Sequence, residues 1–108
     1  LEVNNMGLDA WLKSVDARAK LSELKVDGAF RCDTIVYWRK NEKVNDYVCV
    51  LHITKGGNAD SFNCSDTFLN EEELLGLRKL LPLSEVKYID DAIDEIKKGK
   101  LIFYACWW

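Results

Sequence analysis

The apolar positions of this chain change period several times, and each change predicts an element. From residue 71 they keep helical spacing: Leu74, Leu77 and Leu81 form one stripe, which Leu75 and Leu80 widen. Asn70 before it is a good N-cap, and Glu73 stands where its carboxylate reaches back to the cap. Glu71 to Glu73 in the first turn, and Arg78 and Lys79 in the last, suit the helix dipole. Pro82 ends the pattern, so the predicted helix covers 71–81. A second helix is predicted over 84–98. Ile89, Ala92, Ile93 and Ile96 make its apolar stripe, and Gly99 supplies its stop.

The last eight residues, Leu101 to Trp108, are apolar or aromatic at nearly every position. That pattern predicts a central strand covered on both faces. Residues 61–68 predict a shorter strand with Phe62, Cys64 and Phe68 in phase, after a turn at Gly56-Gly57-Asn58. Two segments fit both helix and strand. Leu8, Leu12, Val15 and Ala19 give 7–25 a helical period, yet residues 8–13 alternate like a strand. Residues 44–54 are rich in β-branched side chains, as strands are, while Asn41-Glu42-Lys43 can start a helix.

The bulk composition narrows the class. At 108 residues the chain has the length of one domain, expected over 6–108. Residues 1–5 precede Met6 and are set apart as vector-derived or upstream-start residues. Net charge is −3, without the basic excess that neutralises phosphates, so no nucleic-acid partner is expected. No apolar run approaches membrane-spanning length and no signal-peptide pattern opens the chain, so a cytoplasmic protein with no membrane partner is expected. Cys32, Cys49, Cys64 and Cys106 are dispersed and His52 is the single histidine. That spacing predicts reduced thiols, no metal site and no cofactor.

Candidate chemistry is sparse. Arg39 and Lys40 follow Tyr37 and Trp38, where a guanidinium beside aromatics can hold an anion; the plainer reading is a charge lying over Trp38. Trp38 and Trp107 are expected in the core, and Trp108, as the last residue, is the candidate partner anchor. Cys49 and His52 would suit a thiolate and its base on a helix, but would point to opposite faces on a strand. Asp9, Asp33, Asp60 and Asp66 read as caps, turns or solvated groups.

Four features occur in order: Met6-Gly7-Leu8-Asp9, Tyr37-Trp38-Arg39-Lys40, a Cys64-containing segment leading into the Asn70-capped acidic helix, and a closing Phe103-Tyr104-Ala105-Cys106-Trp107. In this order the chain resembles a group of small uncharacterised phage and mobile-element proteins. The resemblance covers about two-thirds of the chain and is carried by short ordered motifs. It implies a strand over 6–13 and a helix over 40–52, and a genetic context rather than an activity. Relatives often carry a histidine and a tryptophan where this chain has Asn45 and Tyr47, so no role passes to those positions.

Together these readings predict an α+β fold: a small mixed or antiparallel sheet with two or three helices on one face, and the C-terminal strand central beside the N-terminal one. Three functions are compatible with it. The first is a non-enzymatic protein–protein interaction module acting on a host protein. The second is a small-molecule binder or minor enzyme with a pocket at Tyr37, Trp38, Arg39 and Lys40. The third is a homo-oligomer whose aromatic end strand pairs across a two-fold axis.

Overall fold

Three helices of this chain begin in the same way. Asn41, Asn58 and Asn70 each stand in extended backbone and accept a hydrogen bond from an amide three residues on, at Val44, Ser61 and Glu73. At Asn58 and Asn70 the third residue returns the bond, completing a capping box. The computed structural model describes residues 7–16, 25–26, 29–30 and 32–108. In chain order these form strands β1 (Asp9–Asp16), β2 (Lys25–Val26), β3 (Ala29–Phe30) and β4 (Asp33–Arg39), then helices α1 (Glu42–Thr54) and α2 (Ala59–Phe62). Strand β5 (Asp66–Leu69), helix α3 (Glu71–Arg78), a 3-10 turn at Leu83–Glu85, helix α4 (Val86–Lys97) and strand β6 (Lys100–Trp107) follow.

The fold is α+β. Four strands make an antiparallel sheet in the order β4-β1-β6-β5, and among the described residues β2 pairs with β3 alone. The C-terminal strand is central, paired along its whole length with β1 and from Ile102 to Ala105 with β5. Alternation along each strand sends Ala10, Leu12, Val36, Trp38, Ile102, Tyr104, Cys106 and Leu69 to one face, where they share a core with the helices. From α1 come Val44 and Val48, from α2 Phe62, from α3 Leu74 and Leu77, from α4 Ile89, Ala92 and Ile93. Gly76 lets α3 lie against α1, because a Cβ there would stand 2.3 Å from the Tyr47 hydroxyl. That hydroxyl donates to the Glu73 carbonyl at 2.8 Å. Gly99, at φ +93°, makes the reversal from α4 into β6.

Several expectations change in detail. Residues 44–54 are helical: Val44, Val48 and Leu51 turn to the core at helical spacing, and the Asn41 cap with this packing outweighs the strand preference of the β-branched residues. In the 7–25 segment the strand pattern prevails from Asp9 to Asp16, and residues 17–24 lie outside the described residues. The predicted strand over 61–68 is corrected to β5 alone. The Asn58–Ser61 capping box winds 59–62 into a helical turn, and Cys64, at φ 67°, then turns the chain into β5. The predicted 71–81 helix ends at Arg78, and the turn after it buries Leu81. Strand β4 is absent from the expectations; Arg39, which fits a helix start or a strand end, ends this strand, and Lys40 is the left-handed residue after it.

The expectation that β6 is covered on both faces is also corrected. Helices cover one face. On the other, Phe103 is buried but Leu101 and Trp107 are exposed.

Candidate functional site

The sheet face turned from the helices is built in rows, because antiparallel register brings opposite residues to the same side. One row runs Arg39, Asp9, Trp107; the next Tyr37, Trp11, Ala105, Asp66; the next Thr34, Lys13, Phe103, Phe68. Trp107 is 58% exposed, Phe68 48% and Tyr37 47%. Trp11 and Tyr37 rings lie 5.6 Å apart, Phe68 and Phe103 5.4 Å, and the Lys13 ammonium sits 5.5 Å from the Trp11 ring centre. The Tyr37 hydroxyl donates to Asp9 Oδ1, and that carboxylate holds the phenol above its ordinary range. Desolvation raises the Asp66 carboxyl, and Lys13 opposes the shift.

The predicted site residues divide between faces. Tyr37 and Arg39 lie on the open face. Trp38 points to the helices, where its indole donates to Glu85 Oε1 at 3.0 Å and its ring lies 6.2 Å from Tyr104. Lys40 is exposed beyond the strand end. Strand alternation therefore separates four residues that adjoin in sequence. A groove of about 530 Å³ beside β4 is lined by Thr34, Ile35, Val36, Tyr37, Trp38, Ser84, Glu85 and Tyr88; Arg39 and Lys40 do not line it. Trp108 is 43% exposed but pinned. Asn63 bonds both its amide and its carbonyl at 3.0 Å, and its ring lies 6.0 Å from Phe62. Trp107, expected in the core, is the more exposed of the pair. Its signal was its phase with Leu101, Phe103 and Ala105, hidden because both faces of β6 are apolar.

The Cys49–His52 pair is not assembled, although both stand on α1. His52 Nε2 lies 2.8 Å from Ser61 Oγ, and Nδ1 3.5 Å from Thr67 Oγ1, with the ring against Phe62 at 5.3 Å. Ser61 is itself held in the Asn58 capping box, so this cluster is a brace between α1, α2 and β5. Burial pushes the Cys49 thiol up, away from a thiolate nucleophile. Among the described residues no group of three or more His, Cys, Asp or Glu side chains could hold a metal ion. No helix among them is long and apolar enough to cross a membrane.

Burial raises two further groups: the Cys106 thiol to about 12, and the Tyr104 phenol, whose hydroxyl donates to Asn45 Oδ1 at 2.8 Å. The folded chain thus binds more protons than the unfolded one once pH exceeds the ordinary thiol value. Stability should be full below about pH 9 and fall by a few kcal/mol toward pH 12. Urea midpoints across this range check it, and Cys106→Ala should flatten the slope; a flat wild-type profile would contradict the burial of both groups.

A comparison with family models, curated proteins and solved structures found no match for this chain.

Proposed function

We propose that this chain is a non-enzymatic protein-binding module of a phage or other mobile element, acting on a host protein through the open face of its sheet. The observation that carries this reading is that Trp107, Tyr37, Phe68 and Leu101, from successive rows of the paired sheet, are all at least 45% exposed on one face. Aromatics held on strands bury large area at little entropic cost, as binding hot spots require. The charges on that face are balanced, Lys13 and Arg39 against Asp9 and Asp66, so it lacks the footprint of a phosphate backbone. The resemblance supplies the phage context. Pairing with a second copy through β6 is disfavoured, since β6 already has neighbours on both sides.

Trp107→Ala should weaken capture of the host partner by about 30-fold, the effect of removing a hot spot. Leu83→Ala, at an exposed position in the 3-10 turn, should leave capture unchanged. The check is affinity capture from host lysate followed by titration of the captured protein. Capture insensitive to both Trp107→Ala and Tyr37→Ala would refute the face. A doubled mass in solution, lost with Trp107→Ala, would assign it to self-association.

A further inference from the structure

We infer that the groove between β4 and the start of α4 takes an extended peptide segment, added as a fifth strand on β4, with a lysine or arginine facing Glu85. This inference deepens the protein-binding reading and rests on it. β4 is an edge of the four-stranded sheet. The amide of Lys40 donates to Leu8 O at 2.9 Å, so by alternation Lys40, Trp38 and Val36 turn their backbone groups to β1. Tyr37 and Arg39 therefore turn theirs outward, two donors and two acceptors with no neighbouring strand among the described residues. An irregularity in register between Leu12 and Lys13 leaves Ile35 unpaired and limits regular pairing to the stretch ending at Arg39.

An edge strand beside a helix is the geometry of strand addition: main-chain bonds supply the attraction, and the adjoining wall reads alternate side chains. Here the wall is Ser84, Glu85 and Tyr88, and the groove of about 530 Å³ is open beside Ile35 and Val36. Charge selects the occupant. Among the described residues Glu85 is the one charged side chain lining the groove, and no lysine or arginine among them does. Its Oε1 accepts from the Trp38 indole, and Oε2 has no partner among the described residues. A cation on the incoming strand completes that carboxylate.

The probe is an acetylated heptapeptide of alternating lysine and valine, titrated into the isotopically labelled full chain and followed by amide NMR. In the free protein the Tyr37 and Arg39 amides should exchange with solvent rapidly. With peptide bound, their exchange should slow at least tenfold. Arg39→Pro deletes one outward donor at an edge where proline is tolerated, and should weaken binding at least tenfold. Glu85→Gln keeps an acceptor for Trp38 but removes the charge, and should weaken lysine-peptide binding by a similar factor. Equal binding of an alternating glutamate–valine peptide, or no added protection at Tyr37 and Arg39 in wild type, would overturn the assignment whatever the variants do. A mass doubling lost with Arg39→Pro would replace the peptide with a second copy. Host capture lost with Trp107→Ala, without peptide protection at the edge, would overturn this inference and leave the protein-binding reading standing. Edge protection without any host capture would have the reverse meaning.

Discussion

Phe62→Ala is expected to remove about 3–5 kcal/mol of unfolding free energy, the usual cost of emptying a fully buried aromatic site. Phe62 is fully buried, with Tyr104 stacked at 6.1 Å, His52 at 5.3 Å and Trp108 at 6.0 Å. Its carbonyl also accepts from the Cys106 thiol at 3.4 Å and from the Ser65 hydroxyl at 2.6 Å. Those neighbours come from α1, β6 and the residue after it, and the turn after α2; helix and strand bonds hold His52, Tyr104 and Cys106, and the Asn63 side chain fastens Trp108. The site cannot collapse onto the void, which places the cost at the upper end of the range. For a domain of this size the melting temperature should fall by roughly 15–30 °C. Differential scanning calorimetry reads this directly. A fall below about 5 °C would mean that Phe62 stands half-exposed on a strand rather than buried at the end of α2.

Ile89→Lys should do more, with a loss of at least about 4 kcal/mol. Ile89 is fully buried on the face of α4 that meets the sheet, so a lysine there leaves an ammonium in the core or forces the helix away. Ile89→Leu keeps the volume and should cost less than about 1.5 kcal/mol. The lysine defect also has a pH signature. Burial lowers a lysine below its ordinary value, so the unfolded state of the variant binds more protons than the folded state. Its stability relative to wild type should therefore recover as pH rises from 7 toward 10. Equal urea midpoints for Ile89→Lys and wild type at pH 7 would remove α4 from the core.

The two substitutions test parts of the fold that were unequally legible in sequence. Ile89 belongs to a stripe that repeats at helical spacing between Pro82 and Gly99, and α4 formed where that stripe lies. Phe62 looked like one member of a strand with Cys64 and Phe68. The structure sends the three apart: Phe62 into the core, Cys64 into a left-handed turn, Phe68 onto the open face. The signal that could have corrected this was local, an asparagine followed three residues later by a serine able to close a capping box.

The candidate site was less legible than the helices. Tyr37, Trp38, Arg39 and Lys40 looked like one cluster because they adjoin, and strand geometry divides them between two faces and a turn. Trp107 and Trp108 looked alike, and pairing with β1 sends one to the open face while Asn63 fastens the other.

By itself the sequence determined the caps at Asn70 and the last two helices, the strand character of the C-terminus, and hence an α+β class with a central end strand. These depend on interactions within a few residues, or on a hydrophobic period that a single segment carries. Only the tertiary structure decided that 44–54 is a helix, that β4 exists and is an edge, and that one aromatic face of the sheet stays open. Those outcomes depend on which segments pair and in what register. A slip of one residue would exchange the buried and open faces of a strand, and no local propensity contains that choice.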